Sequence, residues 1–297
     1  PQKAAQYRWS FIAPEDMPSI VNPERGYIVT SNDPPALTAE GLPVFPGNYA
    51  AGFRNHRIGN LIESGTKNGA KLTRYDLAAI QCDVHSLFAE EMLPPLLPRL
   101  QAMSAQMSDQ ENEALRILAA WDYEESASSQ GAPLYELMRI MLFRRLWSDH
   151  AITADTDIVL LAALNGAGWV MLDDAEILAC WKGAVAGAVK ETGKLPAYSE
   201  IHKMPLVCPL PFYLTQQPGL VPADGGFSTV NVSAVSWDSK YLLKNFAPTA
   251  RLIMSPGVEG GYWTVIPGGN SGCPGSPNFA DQVSLYLAGN YKYQPAH

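Results

Sequence analysis

Asn32 is the first side chain in this sequence that could do chemistry, since it is a lone carboxamide after a short apolar stretch. That stretch, residues 27–30, has the sequence Tyr-Ile-Val-Thr and predicts a strand. A carboxamide donates N–H hydrogen bonds and has no protonation state to manage. Residue type alone nevertheless favours ordinary turn chemistry for Asn32, because Asp-Pro-Pro follows it at residues 33–35.

The sequence lacks the motifs that define several common enzyme classes. It contains no P-loop, no H-E-x-x-H, no EF-hand loop and no G-x-S-x-G. The five histidines lie far apart and the four cysteines form no C-x-x-C, so we expect no metal site. The Gly-rich stretch GGNSGCPGSP, residues 268–277, is not followed by a helix that begins with Lys. We therefore interpret it as a structural loop and not as a phosphate-binding loop.

Composition indicates a folded protein with a substantial core. The chain has 297 residues, of which 47% are hydrophobic and 17% are charged, enough for one large or two ordinary domains. Its net charge of -8 gives it no electrostatic reason to bind nucleic acid or an anionic membrane. The longest apolar runs are too short and too interrupted by Gly to span a bilayer. One or two disulfides, or free thiols throughout, both remain open.

The chain divides into three regions by sequence texture, and this division predicts an α+β fold. Residues 1–66 are rich in Pro, Gly and aromatic residues, with strand-like runs such as YRWSFI at residues 7–12. Residues 67–195 show helical periodicity. Residues 196–297 return to strands and loops, with predicted strands at 228–237, 250–257 and 260–269 and a short helix within 281–291. We infer that the helices are an insertion that leaves a sheet and returns to it.

Capping residues predict where the helices of the middle region begin and end. Thr73 precedes Asp76 by three residues, as an N-terminal cap requires, in front of a long helix that we expect prolines 94 and 95 to kink or end. Ser108 and Glu111 stand in capping-box register. Two more helices are predicted near residues 133–147 and 173–193, and Gly193 is a candidate for the C-cap of the second.

Six stretches, taken in order, resemble the penicillin acylase family of N-terminal-nucleophile amidases. They are NPERGYIVTSNDPP, RNHRIGNLI, LAAIQCDVHSLFAEEMLP, ILAAWDYEES, GGFSTVNVS and GGNSGCPGSPNFADQVSLYLAGNY. Each one is a weak signal by itself. Together they cover nearly the whole chain in the correct order, which makes the resemblance strong.

The resemblance implies the four-layer αββα sandwich of that family, present here in part. Residues 1–66 would form the first part of the core with the oxyanion-hole segment, residues 67–195 a helical insertion, and residues 196–297 the C-terminal core strands and loop. Family members are made as one precursor that cuts itself into an α chain and a β chain, and the first residue of the β chain, usually Ser, is the nucleophile. This chain begins with Pro1 and looks like the C-terminal portion of a β chain. The resemblance therefore implies a nucleophile on a segment not in this chain, with the α chain and the N-terminal part of the β chain as partners.

The resemblance also assigns two catalytic residues. In the family, an Asn after the G-Y-I-type strand donates to the oxyanion, and the matching residue is Asn32. An Arg of the R-I segment lies close to this Asn and to the nucleophile's amine, and the residue that we match to it is Arg57. The alternatives for these positions are Arg54, three residues earlier, and an ordinary surface ion pair for Arg57.

Cofactors and location follow from the same resemblance. Family members often bind a structural calcium through an Asp between the Asn and Arg motifs, but here Glu40 is the nearest acid in that interval, so we expect no cofactor. The expected substrate is a small acyl amide, such as a β-lactam side chain, an acyl-homoserine lactone or a lipopeptide, and the expected location is periplasmic or secreted. We expect the isolated chain to be inactive. A non-catalytic relative that binds an acyl ligand and an unrelated α+β binding domain are the alternative interpretations.

Overall fold

The computed structural model describes residues 12–34, 49–150, 156–167, 170–190, 192–206, 219–237, 242–246, 248–255 and 261–295. The predicted strand at residues 7–12 lies almost entirely outside these ranges, as do Glu40 and Cys208. The helices within them are α1 (Phe53–Gly65), α2 (Arg74–Gln81), α3 (Leu87–Ala102), α4 (Asp109–Ala119), α5 (Gly131–His150), α6 (Thr156–Leu164), α7 (Asp174–Val189), α8 (Tyr198–Ile201) and α9 (Val283–Leu287). The strands are β1 (His202–Leu206), β2 (Gly219–Pro222), β3 (Ala234–Trp237), β4 (Leu242–Phe246), β5 (Arg251–Met254), β6 (Gly261–Val265) and β7 (Lys292–Pro295).

The chain combines helices with small sheets, so the prediction of mixed helix and sheet content is confirmed. One sheet has the strand order β2-β1-β4-β3, in which β1 and β4 are parallel and the other neighbours are antiparallel. The second sheet, β5-β6-β7, is antiparallel throughout. The predictions at residues 250–257 and 260–269 are confirmed as β5 and β6, and the short C-terminal helix is confirmed as α9. Strand β7 was not predicted.

The helical core is built mainly from the packing of α3, α5 and α7. Helix α5 is apolar on most sides and is largely buried, as expected of a helix surrounded by other elements. The largest side chains with almost no exposure include Trp181, Tyr135, Phe88 and Met92. Fully burying a side chain of this size stabilises the fold by about 1.5–3 kcal/mol.

The segment that begins at Thr73 is interrupted earlier than predicted. Helix α2 ends at Gln81 and α3 begins at Leu87, because the carbonyl oxygens of Asp83 and Val84 accept hydrogen bonds from Asn231 N (2.8 Å) and Glu125 N (2.9 Å). These long-range hydrogen bonds take the place of the bonds to residues 87 and 88 that a continuous helix would make. Prolines 94 and 95 were predicted to kink or end the helix, and the second of these outcomes is wrong, since α3 continues through both of them to Ala102.

The predicted N-terminal caps are confirmed. Thr73 and Asp76 form a reciprocal capping box at α2, and Ser108 and Glu111 form one at α4. The C-cap of α7 is Lys190 and not Gly193. Gly193 nevertheless has a φ of 69° and donates its N–H to the carbonyl of Val189, the last residue of α7, at 2.8 Å.

A buried charged cluster joins α5 to the loop that precedes β3. Glu125 and Glu136 have no solvent exposure, and Arg139 is 4% exposed. Glu136 accepts from the Phe227 N–H at 3.3 Å and lies 3.7 Å from the Arg139 guanidinium. Burial, together with the negative charge of Glu136, raises the pKa of Glu125 well above its usual value. Glu125 therefore keeps its proton to a higher pH in the folded protein than in the unfolded chain.

We expect Glu125 to make stability decrease as pH rises. The carboxyl ionises at its ordinary pKa, near 4.5, in the unfolded chain but at higher pH in the folded chain. The free energy of unfolding should thus fall above pH ~5, by up to about 1.4 kcal/mol per pH unit, until the folded pKa is passed. Glu125→Gln removes this dependence, and urea unfolding between pH ~5 and ~8 would measure it.

The groups that face Glu125 are Glu136, Arg139, Tyr135, Tyr198 and Ser86. Groups with lowered pKa values, such as Asp33, Asp76 and Glu200, lose their contributions to stability below this pH range.

Glu113→Gln, on the exposed side of α4, is the matched control and should keep the pH dependence of the wild type. Equal pH dependence in Glu125→Gln and the wild type would contradict the assignment.

The two adjacent glycines at the start of the 268–277 loop should respond differently to a methyl group. A Cβ on Gly269 would overlap the carbonyl of Asn278 and the carboxylate of Asp281, whereas a Cβ on Gly268 would meet Phe279 O at 3.7 Å, an ordinary contact. Gly269→Ala should lower the free energy of unfolding by about 1–3 kcal/mol. Gly268→Ala should be neutral or stabilising by up to about 1 kcal/mol. Urea unfolding of both variants tests the difference, and equal losses would contradict it.

Candidate functional site

The segment before Asn32 lies along α1 and does not form a strand. Tyr27 Oη donates to Glu63 Oε1 at 2.6 Å, Asn55 Nδ2 donates to Val29 O at 3.2 Å, and further contacts reach the first turn of the helix. The segment therefore runs antiparallel to α1. The strand predicted at residues 27–30 is wrong, since none of these residues takes part in a sheet ladder. The carbonyl of Val29 accepts from the Asn55 side chain of α1, and that of Tyr27 accepts from Arg25 Nε at 3.0 Å.

Asn32 is presented by a left-handed backbone. Its φ is 67°, a conformation that Asn tolerates better than most residues. The carbonyl of Asn32 accepts from Ala50 N at 2.7 Å, which fixes the turn, while its side chain is exposed. The turn thus holds the carboxamide at the surface in one orientation.

Arg54 holds the carboxamide of Asn32 by its oxygen. The Arg54 Nη2 lies 2.9 Å from Asn32 Oδ1 and 2.9 Å from Ser31 O. A guanidinium can only donate, so the amide atom that it contacts must be the oxygen. The NH₂ end of Asn32 consequently points away from Arg54 and can donate to another group.

Arg54 occupies an unfavourable electrostatic position that Asp33 relieves. The residue lies in the first turn of α1, where the helix dipole disfavours a cation. Burial lowers the pKa of Arg54, and the negative charge of Asp33 counteracts that effect. Burial also opposes ionisation of Asp33, but hydrogen bonds from Asn55 and Ser31 outweigh it and keep the Asp33 pKa below its usual value. The Ser31 N and Oγ donate to Asp33 Oδ1 at 2.7 and 2.9 Å.

Arg57 hydrogen-bonds to Asp83. The contact with Asn32 that was predicted for Arg57 is made by Arg54 instead. The Nε and Nη2 of Arg57 lie 2.9 and 2.7 Å from the two carboxylate oxygens of Asp83. Hydrogen bonding to Asp83 raises the pKa of Arg57 above its usual value. The physical reason is register: Asn32 lies beside the first turn of α1, and Arg57 begins the next turn. A catalytic role for Arg57 stays a prediction.

A second set of ionisable groups lies next to the Arg57–Asp83 pair. The two ring nitrogens of His85 lie 2.9 Å from carboxylate oxygens of Glu124 and Glu90. Tyr123, which precedes Glu124, has a φ of 64°, an unusual value for a bulky residue. Its ring makes an edge contact with His85. We interpret these contacts of His85 as structural: they hold the segment around Tyr123 and Glu124 against the start of α3.

The described ranges contain neither a candidate metal site nor a helix suited to a membrane. There, no group of three or more His, Cys, Asp or Glu side chains is arranged to hold a metal ion. No helix in these ranges has the length and apolar character needed to cross a bilayer. Cys82, Cys180 and Cys273 form no disulfide among the described residues.

Comparison with known proteins identifies a family. The family model described as Penicillin amidase matches residues 1–297. An acyl-homoserine lactone acylase, QuiP, of Pseudomonas fluorescens is 24% identical over 98% of this chain and 39% of its own length. The chain thus spans about 39% of the length of this curated relative.

We expect the Arg57–Asp83 pair to contribute stability. The side chains of Arg57 and Asp83 are 22% and 13% exposed, so Arg57→Gln would leave a mostly buried carboxylate without its ion-pair partner. The free energy of unfolding should fall by about 1–3 kcal/mol, measured by urea unfolding at pH ~7.

Asp83→Asn combined with Arg57→Gln should recover part of this loss, because the unpaired charge is then gone. Arg116→Gln, which breaks the exposed pair of Arg116 with Glu113, is the control and should change stability by less than about 1 kcal/mol. A loss in Arg57→Gln no larger than in this control would contradict the role of the pair.

Proposed function

Since the chain belongs to the penicillin amidase family, we propose that it supplies the oxyanion-stabilising part of an acyl amide hydrolase. The observation that carries the proposal is the hydrogen bond from Arg54 Nη2 to Asn32 Oδ1 at 2.9 Å. That bond leaves the NH₂ end of an exposed, conformationally fixed carboxamide as a hydrogen-bond donor. Such a donor is what a tetrahedral intermediate requires at its oxygen.

The chemistry assigned to Asn32 is donation to a developing negative charge. When a nucleophile attacks an amide carbonyl, the carbonyl oxygen becomes an oxyanion, and the Nδ2–H of Asn32 donates to it. The positive charge of Arg54 on Oδ1 polarises the carboxamide, which makes the N–H a stronger donor. A neutral carboxamide performs this role without a protonation change.

Asn32 and Arg54 have different roles in this proposal. Asn32 touches the reacting oxygen, and Arg54 acts through Asn32, which makes it a positioning residue. Because Arg54 also donates to Ser31 O, it fixes the backbone turn and the carboxamide together. The predicted involvement of Arg57 becomes indirect in this proposal, since Arg57 anchors α1 to Asp83.

The nucleophile is proposed to be the N-terminal Ser of a segment outside this chain. The match to the acyl-homoserine lactone acylase supports this, because it includes only 39% of that protein's length, and the rest of such a protein could carry the nucleophile. The αββα sandwich, the α chain and the N-terminal part of the β chain as partners, and inactivity of the chain by itself are further parts of the proposal. So are autoproteolytic processing, a periplasmic or secreted location, and catalysis without a cofactor.

The proposed substrate is an acyl amide of small size. The name of the relative favours an acyl-homoserine lactone among the three classes considered, with β-lactam side chains and lipopeptides as the other two. Hydrolysis would release a carboxylic acid and an amine.

Asn32→Asp is the sharpest test of the proposed chemistry. Aspartate has the same shape, tolerates the left-handed backbone and can still accept from Arg54, but it replaces the N–H donor with an acceptor. In the complete protein that contains this chain, kcat on a panel of acyl amides should fall by about 10²–10³, equivalent to about 2.7–4 kcal/mol of barrier. The free energy of unfolding should change little.

Asn68→Asp is the matched control, because Asn68 is another exposed Asn with a φ of 59° that lies away from Asn32. It should keep wild-type kcat. If Asn32→Asp retains kcat within a few-fold, the oxyanion role is wrong. If the complete wild-type protein hydrolyses no acyl amide, or no Ser, Thr or Cys stands at the N-terminus of any of its chains, hydrolysis by this mechanism is wrong and the binding-protein alternative gains support.

A further inference from the structure

Arg251, the first residue of β5, has a buried guanidinium that is bonded to neutral groups. The residue is 4% exposed. Its Nη1 donates to Tyr286 O at 2.8 Å, its Nη2 donates to Asn231 Oδ1 at 2.8 Å, and its Cζ lies 4.0 Å above the centre of the Tyr286 ring. Among the described residues, Nε has no hydrogen-bond partner and no carboxylate forms an ion pair with Arg251.

A buried cation without a directly bonded carboxylate is energetically costly. Removing an ion of this kind from water costs several kcal/mol even after the protein relaxes, and hydrogen bonds to neutral groups offset part of that cost. The guanidinium carries five N–H hydrogens. Nη1 and Nη2 each use one hydrogen in the bonds to Tyr286 and Asn231, and each has a second hydrogen. The site is therefore prepared to donate to an anion.

A cavity of about 200 Å³ lies directly beside this guanidinium. The residues that line it include Cys82, Asp224, Asn231, Tyr286 and residues 287–289. The volume corresponds to roughly six water molecules at about 30 Å³ each, which is room for a small organic anion. Cys82 and Asp224 are partly exposed, so the cavity reaches the surface.

Asp224 restricts what the cavity can accept. Its Oδ1 accepts from Ala127 N at 2.6 Å, and Asp224 is one of the residues that line the cavity beside Arg251. A dianion would be repelled by this carboxylate, whereas an anion with a single charge gains more from Arg251. A planar carboxylate also matches the planar fork of the guanidinium better than a spherical ion does.

We propose that the cavity beside Arg251 is a binding site for a small monocarboxylate. The guanidinium of Arg251 would bind the carboxylate of the ligand, and Asn231 and Tyr286 would restrict its size. The proposal rests on the buried cation and the cavity and does not depend on the proposed hydrolysis.

A chain of described contacts connects this site to α1. The N–H of Asn231 donates to Asp83 O at 2.8 Å, and the carboxylate of Asp83 is bonded to Arg57. Bound carboxylate would hold the Arg251–Asn231 contact in place and would thereby stabilise the anchor of α1 on Asp83. The ligand should therefore also raise the melting temperature of the protein.

Cys82 provides a built-in reporter, because its partly exposed thiol lines the cavity. We would measure the rates at which iodoacetamide alkylates Cys82 and Cys273, by peptide mass spectrometry, with acetate added at constant ionic strength. Protection follows one plus the ratio of ligand concentration to Kd, so alkylation of Cys82 should slow about ten-fold at nine times the Kd. Cys273, a partly exposed thiol in the 268–277 loop, is the control and should keep its rate.

Acetamide, the neutral isostere of acetate, should give no protection of Cys82, and this comparison needs no variant. Arg251→Gln should abolish the protection by acetate, provided that the variant folds. The proposal is overturned if acetate and acetamide act alike, if Cys82 and Cys273 slow equally, or if acetate at about 100 mM, a hundred times a millimolar Kd, has no effect. Equal protection by chloride, or stronger protection by phosphate, would overturn the assignment to a carboxylate.

Discussion

Asp83 is the residue on which the described parts of this chain depend most directly. Its carboxylate binds Arg57 of α1 through two hydrogen bonds, and its backbone carbonyl accepts from Asn231 of the loop before β3. Asp83 lies in the interval between α2 and α3, where its carbonyl bonds to this loop instead of to a following helical turn. One residue therefore contacts both the helix that carries Arg54 and a loop that is more than a hundred residues away in sequence.

Local signals in the sequence predicted the features that depend on local chemistry. The capping boxes at Thr73 and Ser108 could be predicted, because a cap is decided by residues three positions apart. Strands β5 and β6 could be predicted from β-branched and aromatic runs bounded by Gly and Pro. The helical continuation through prolines 94 and 95 could not, since burial of Phe88, Met92 and Leu96 offsets a local cost that the sequence shows plainly.

The candidate site shows where sequence reasoning stops. Asn32 was identified through its motif, but a motif does not say which of two arginines on the same helix reaches it. Arg54 and Arg57 are three residues apart and lie on similar sides of α1. The choice between them is made by the position of residues 27–33 along that helix, which is set by contacts such as Tyr27 with Glu63. The ion pair between Arg57 and Asp83 could not be predicted either, because it depends on how α1 packs against the segment after α2.

The buried carboxyl of Glu125 also makes folding a proton-coupled reaction. At a pH between its ordinary pKa and its raised pKa in the folded protein, this group is ionised in the unfolded chain and protonated in the folded chain. Folding consequently takes up a proton from the solvent at this residue. That proton comes from the buffer, so the heat measured for unfolding includes the ionisation heat of whichever buffer is present. Calorimetry in buffers of different ionisation enthalpy would then count the protons that the fold retains.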